Sequence, residues 1–445
     1  MARSFLLREL RPTLSLAAPI VLGQLSQMLM GVTDSAMIGH AGAVPLAASA
    51  FANNVFNIFF IVGVGLMIPV AIFVARARGA QAPAEAADYL RHGVALAVAL
   101  GLAETLAMAA LAPWLDRFGQ PAEVVAIVRP FFLFYAASLV PVFVHLALRQ
   151  FAEAMGHPWA PTVIMLLGVG LNALLNWILI YGHLGAPALG LTGAGLATLI
   201  ARVAGAAALL AWLRRDARVR AAWPAKWLGD FSRARFREML GVGLPAAGML
   251  LFEVTAFACS GIMVGWLGAA PLAAHQIAMS CASLAFMVPL GLAMAAGMRV
   301  SHAMGAGEAA RLRPIALGAL GAGLAAMAAF ATAFALGRGL LAGFFVDDAA
   351  VVAIAAQLLV VAALFQLADG TQVIAAACLR GMSDVRVPAL ITLVAYWVIA
   401  LPLGYAAGVR GGLGATGVWL GIAGGLGFAA IFLTVRLVRR TRAAA

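Results

Sequence analysis

Charge is scarce in this sequence. Only 10% of its 445 residues are Asp, Glu, Lys or Arg, against about a quarter in an ordinary soluble domain. So little charge cannot solvate the surface of a large soluble catalytic domain, and it excludes a disordered chain. Cysteine is scarce too. Cys259, Cys281 and Cys378 stand far apart inside apolar runs, with no C-x-x-C. They read as small buried apolar residues rather than a disulfide framework or redox centre. No G-x-x-x-x-G-K-[ST] phosphate loop occurs, and neither does H-E-x-x-H, G-x-S-x-G or a clustered Asp motif. An ATP-driven pump and a membrane enzyme therefore lack their usual residues, and the chain is read as not an enzyme, with no cofactor.

What the chain has instead is apolar length. Apolar residues make up 64% of it and the mean hydropathy is +1.02. The apolar runs are continuous rather than alternating, which excludes a membrane barrel. At ~20 residues per crossing, twelve helices are expected, at 12–38, 46–75, 91–113, 124–150, 158–183, 189–213, 238–266, 271–300, 313–337, 349–377, 387–408 and 412–437. The first run is longer than the ~7–15 residues of a signal-peptide core, so no cleavable signal is expected. The reading is an all-α integral membrane protein. Its domains are an N-lobe over 1–213, a basic linker over 214–237 and a C-lobe over 238–445.

A net charge of +12 would suggest nucleic acid in a soluble protein. Here it follows orientation, and no nucleic-acid partner is expected. The linker holds eight basic and two acidic residues. With the N-terminus inside, 25 of the 29 basic residues fall on the inner side, leaving Arg117, Arg129, Arg338 and Arg410 outside. The positive-inside rule then puts both termini and the linker in the cytoplasm. The expected location is the bacterial inner membrane, multi-pass, in contact with its lipids.

The halves repeat. An offset of 226 places GAVPLAASAFA from Gly42 on GAAPLAAHQIA from Gly268, and Pro19 on Pro245. Pro161 falls on Pro388 at an offset of 227. Six helices per half give parallel repeats, two six-helix bundles around a central cleft, an arrangement that suits alternating access.

The stretch AAHQIAMSCASLAFMVPLGLAMAAGMRVSHAMGAGE, Ala273 to Glu308, resembles the signature region of the multidrug and toxic compound extrusion family, in its NorM-type branch. GVTDSAMIGHAG around Asp34 and LFQLADGTQVIAAACLRGMSDVRVP, Leu364 to Pro388, are similar to that family as well. The resemblance covers essentially the whole chain. It implies efflux of small organic compounds, cationic or amphipathic, coupled to Na⁺ or H⁺, by a protein acting as a monomer. A flippase for lipid-linked oligosaccharide shares the wider architecture. Its cavity should carry several Arg and Lys to hold pyrophosphate, whereas Arg202 is the only basic residue well inside a span.

A charge at membrane depth costs ~2.5–3.5 kcal/mol on insertion scales, which makes it a functional candidate. Four acids fall within the spans: Asp34, Glu104, Glu253 and Asp369. Glu253 in the seventh run and Asp369 in the tenth match the resembled family's cation pair, and they would hold Na⁺ or a proton. The repeat places Gln27 under Glu253 and Val142 under Asp369, so the N-lobe lacks this pair. Asp34, with Gln27 seven residues earlier on nearly the same helical face, is the N-lobe candidate for substrate or proton. Asn172, Asn176 and Thr198 could complete its site. The DinF-like branch has Asp where this chain has Asn176, which favours the NorM-like assignment. Glu104 is covered by no motif and could pair with Arg202. Phe51, Met287 and Met294 are cavity candidates because flexible thioethers and aromatic faces accept varied ligands. Asn53, Asn54 and Asn57 could line the cleft. His145 and His275 read as structural.

Overall fold

The structure is a computed structural model that describes residues 2–444, with side chains from residue 8 to residue 443. Arg3, one of the basic residues assigned to the inner side, has its side chain outside the described residues. Each apolar run forms one helix of membrane length. They are α1 (Arg8–Ala41), α2 (Ala43–Gly79), α3 (Pro83–Phe118), α4 (Ala122–Ala154), α5 (Trp159–Tyr181), α6 (Gly190–Arg215), α7 (Arg233–Gly265), α8 (Ala269–Gly305), α9 (Ala309–Phe345), α10 (Ala349–Gly381), α11 (Arg386–Arg410) and α12 (Gly414–Ala443). No strand occurs among the described residues.

Most helices outrun their apolar runs because polar residues continue them outward. α3 begins at Pro83 rather than at residue 91. Pro in the first turn forfeits no hydrogen bond, and Glu85 there complements the helix dipole. The basic segment is likewise partly helical, with an irregular stretch only over 216–232 around one short turn, Arg220–Ala222. Arg235, at the start of α7, pairs with Glu85 and Asp88, both at 3.1 Å, and lies 4.2 Å over the Tyr89 ring. The segment is thereby tied to the start of α3.

The internal repeat is visible in the backbone. α2 and α8 are each 37 residues long and start 226 residues apart. The residue before each is a glycine with positive φ, 137° at Gly42 and 116° at Gly268, a conformation that only glycine enters without strain. The turns after α2 and α8 have positive φ at Gln81 and Gly307, and those after α4 and α10 at Gly156 and Ser383.

Packing divides the chain into two compact units, Leu22–Ala247 and Met1–Val21 with Gly248–Ala445. The expected lobes, 1–213 and 238–445, follow chain order. Packing instead assigns the opening part of α1 to the second unit and that of α7 to the first. Both divisions fall just after a mid-helix proline, Pro19 and Pro245, where the missing N–H weakens the helix.

Two local breaks shape the sites described below. α4 is interrupted at Ser138. α11 contains two π-helical stretches, Val394–Ala400 and Tyr405–Arg410, which flank a turn containing Pro402. In α11, Gly404 and Gly408 lie against Gly417 and Gly421 of α12, so close that added methyl groups would strike backbone. Small residues of this kind let membrane helices pack at backbone distance.

Candidate functional site

In the first unit, Asp34 on α1 accepts a 2.6 Å hydrogen bond from Asn176 Nδ2 on α5. The same nitrogen also donates to Asn172 Oδ1 at 3.3 Å, one turn away. Both asparagines are wholly buried. Asn172 also acts on the Asp34 carboxylate, while Asn176 Oδ1 has no hydrogen-bond partner among the described residues. Buried polar atoms left unpaired are costly, so this cluster keeps one acceptor free for another group. Thr198, expected nearby, donates to Ala194 O of its own helix.

Asp34 and Gln27 line a cavity of about 330 Å³, drug-sized on the scale of known sites. Its aromatic wall includes Phe56, Phe60 and Tyr135, with the Phe56 and Tyr135 rings 4.1 Å apart. Asn53 and Asn57 also line it, and the Tyr135 hydroxyl donates to Asn53 Oδ1 at 2.8 Å. Two guanidiniums reach the cavity. Arg149 is neutralised by Glu153 at 2.7 Å and donates to Gln24 at 2.9 Å. Arg202 donates to Ser138 Oγ at 2.6 Å, where α4 is interrupted, and lies 4.8 Å over Phe56 and 5.0 Å over Tyr135.

Other sequence candidates lie elsewhere. Phe51 packs against Phe118, with ring centroids 5.8 Å apart, and does not line the cavity. Glu104 is buried in α3 with Oε2 unpartnered, lies outside the cavity lining, and makes no ion pair with Arg202 among the described residues. Met287 and Met294 are half-buried in α8, in the second unit. His275 accepts from Trp419 Nε1 at 3.0 Å, a packing role.

In the second unit, Asp369 on α10 is 5% exposed and its Oδ1 has no partner. Glu253 on α7 is close enough to repel it electrostatically, while Arg380 attracts Glu253. Tyr396, on the first π-helical stretch of α11, feels both carboxylates and donates to Gln372 at 3.2 Å. Gln366, one turn before Asp369, donates to Ala282 O at 3.3 Å and leaves Oε1 unpartnered. Among the described residues no three His, Cys, Asp or Glu side chains gather. The donors are two carboxylates with amide and phenol oxygens. Such oxygens suit a proton or a hard monovalent cation better than a soft metal.

Sequence reasoning brought Glu253 and Asp369 to one place but missed Tyr396, Gln366 and Arg380. A signal for Gln366 was present. Gln366, Asp369 and Gln372 recur every three residues, placing three polar groups on one face of an apolar helix. Nothing in the sequence marked Tyr396, because its position depends on how α11 packs.

The MatE family model matches residues 19–178 and again 245–406, once per half and 226 residues apart at the start. The multidrug resistance protein NorM of Burkholderia vietnamiensis is 37% identical over 442 residues, covering 96% of this chain and 94% of its own. A mutant of the Vibrio cholerae MATE transporter VcmN superposes with a TM-score of 0.91 at 21% identity, over 99% of this chain and 98% of that one. The eukaryotic MATE transporter AtDTX14 superposes with a TM-score of 0.88 at 19% identity, over 99% of each chain.

Proposed function

The chain belongs to the MatE family of multi-pass membrane transporters, and from that premise we propose a Na⁺- or H⁺-coupled antiporter exporting small cationic or amphipathic organic compounds by alternating access. The observation that carries this reading is Asp369, a buried carboxylate with an unpartnered oxygen beside a second carboxylate. Two like charges at membrane depth repel and are poorly solvated, so binding one cation or proton relieves both penalties. The relief differs between packings that bring α7 and α10 together or apart. Ion binding is thereby linked to conformation, and by reciprocity conformation sets ion affinity.

In the same reading, substrate binds in the first unit at Asp34, Gln27 and the asparagine pair. The cavity's cations do not suit a pyrophosphate flippase, because Arg149 is already neutralised by Glu153. The protein acts as a monomer in the bacterial inner membrane with both termini cytoplasmic, in keeping with its basic segments. Reporter fusions after Arg215 and Arg442 should both report cytoplasm, and a periplasmic signal at either point contradicts this topology.

The decisive experiment uses purified protein in liposomes with an imposed gradient and a cationic dye. Dye-induced ²²Na⁺ movement assigns Na⁺, and dye-induced proton movement assigns H⁺. Dye export with neither movement rejects ion coupling.

A further inference from the structure

The segment over 214–237 holds eight basic residues, and the antiport scheme uses none of them. On other segments assigned to the inner side, cations have acids. Arg299 and Arg311 share Glu9, and Arg436 and Arg440 share Asp384. Within the segment, Arg218 pairs with Asp216 at 2.8 Å, and Arg235 is spent on Glu85 and Asp88. The remaining six are Arg214, Arg215, Arg220, Lys226, Arg233 and Arg237. All are exposed, and their side chains make no ion pair or hydrogen bond among the described residues. The segment's second acid, Asp230, is exposed as well and offsets only one of them.

These charges stand on a folded surface, not on a loose tail. Val219, Ala222 and Pro224 are buried, while Arg220, Lys226 and Leu228 point outward. The far end is held by Arg91, which donates to Asp230 O at 3.0 Å and lies 5.1 Å over the Phe231 ring. The Ser232 N–H donates to His92 Nε2 at 3.0 Å. Arg214 and Arg215 close α6, and Arg233 opens α7, whose first turn holds no acid. An outside anion is favoured at that positive helix end. Amid the cations, Leu228 is 86% exposed and follows Trp227, whose ring meets Trp223 edge to face at 5.3 Å. Indole rings favour headgroup depth. A soluble polyanion would account for the free cations but not for a bare leucine between two membrane helices. A negatively charged bilayer surface accounts for both, and its attraction grows with each cation near it. We propose that this segment docks on anionic phospholipid headgroups, whose phosphates meet the six free cations while Trp227 and Leu228 enter the headgroup layer. The proposal rests on the reading that places the segment on the cytoplasmic side.

Native mass spectrometry of the purified full-length protein in detergent tests this, with phosphatidylglycerol and phosphatidylcholine of the same chains as probes. The wild type should bind its first phosphatidylglycerol at least about tenfold more tightly than phosphatidylcholine. Combining Arg214→Gln, Arg215→Gln, Arg220→Gln and Lys226→Gln should bring that preference within about threefold. A preference unchanged in the variant, or absent in the wild type, overturns the proposal. A second reading needs no variant to fold. Lys226 is the only lysine in the chain, so amine acylation followed by peptide mass spectrometry reports on one side chain of this surface. A few phosphatidylglycerol molecules per protein should slow its acylation at least about fivefold, and phosphatidylcholine should not. No slowing, or equal slowing by both lipids, overturns the proposal. Equal slowing by soluble glycerol 3-phosphate or by a short RNA assigns the surface to soluble anions and overturns it too. Detergent has no sides, so these outcomes do not depend on topology, which the reporter fusion after Arg215 tests separately.

Discussion

In the first unit the site acid is already held. Asn176 donates to Asp34 at 2.6 Å, Arg202 lies within electrostatic reach, and the cavity around them is open and aromatic. In the second unit Asp369 has a free oxygen, the charge acting on it is another carboxylate, and the surroundings are close-packed, with Tyr396, Phe365 and Trp419 in the core. Both regions stand on the same helix plan, down to matched positive-φ turns. The repeat therefore supplies a scaffold, and a few substitutions give its copies different chemistry. An amide-held acid beside a roomy cavity suits an organic ligand, whereas two neighbouring acids in a tight site, one with an unpartnered oxygen, suit a small cation.

The most severe way to break this comparison is to neutralise the second unit. Glu253→Gln and Asp369→Asn should each reduce gradient-driven efflux at least about a hundredfold, a loss of roughly 2.7 kcal/mol or more in coupling. Dye binding should stay within a few-fold of wild type. Wild-type efflux in both variants rejects the coupling site. Loss of dye binding together with efflux would mean that these acids hold the organic ligand itself.

A smaller effect is expected from Asp34→Asn, which keeps shape but removes the charge. Binding of a cationic dye should weaken about tenfold, roughly 1.4 kcal/mol, with the protein still folded by size-exclusion chromatography. Undiminished binding would make Asp34 an ordinary wet residue. The comparison can also be sharpened by making the first unit resemble the second. Asn176→Asp places a second carboxylate against Asp34 and removes the 2.6 Å donor. One of the two acids should then take up a proton or Na⁺, so dye affinity should depend on pH or Na⁺ several-fold more steeply than in the wild type. An unchanged ion dependence would mean that the surroundings, not the residue pair, set the difference.

The smallest effect concerns two matched turns outside the spans. Burial alone would raise the Asp384 carboxyl, but Arg436 and Arg440, each within 2.9 Å, outweigh it and hold Asp384 below the usual carboxylate range. The matching residue at an offset of 227 is His157, which burial and then Arg218 hold below the usual histidine range. The depressed acid stabilises the fold above its unfolded value near 3.9, and this is lost as pH falls through the lower folded value. The depressed histidine favours the neutral ring, so stability falls on acidification from about pH 6.5, where the unfolded chain begins to take up protons. Thermal unfolding from pH 7 to pH 5 should therefore depend on pH less steeply in His157→Gln than in wild type. Asp384→Asn should leave that slope alone and lower stability by about 0.5–1 kcal/mol throughout. Equal slopes in wild type and His157→Gln would remove His157 from the account.

Much of the fold was legible because bilayer thickness imposes one length on every spanning helix, and hydropathy reports that length directly. The repeat was legible from Pro-Leu-Ala-Ala and a constant offset. Helix ends were less so, since α3 and α7 extend through charged residues that no apolar pattern marks. Of the site residues, the intramembrane acids stood out because charge is rare at that depth. Thr198, Phe51 and Glu104 could not be placed, because side-chain direction on a mostly apolar helix carries little pattern. Arg202 was visible as an oddity, yet its partners lie on other helices.

Sequence by itself determined the twelve membrane-length helices and the two-fold repeat, since each follows from local composition and from the cost of moving polar groups out of water. Arg149 and Arg380, placed by sequence among the inner-side basic residues, reach the cavity and Glu253 only through packing. Tertiary structure alone decided which charges meet. Asn176 reaches Asp34 across 142 positions of chain, and Arg202 finds Ser138 across 64. Asp369 is left with no such partner. Such pairings depend on how helices from distant parts of the chain rotate and pack, and hydropathy cannot encode that rotation when most faces of a helix are apolar.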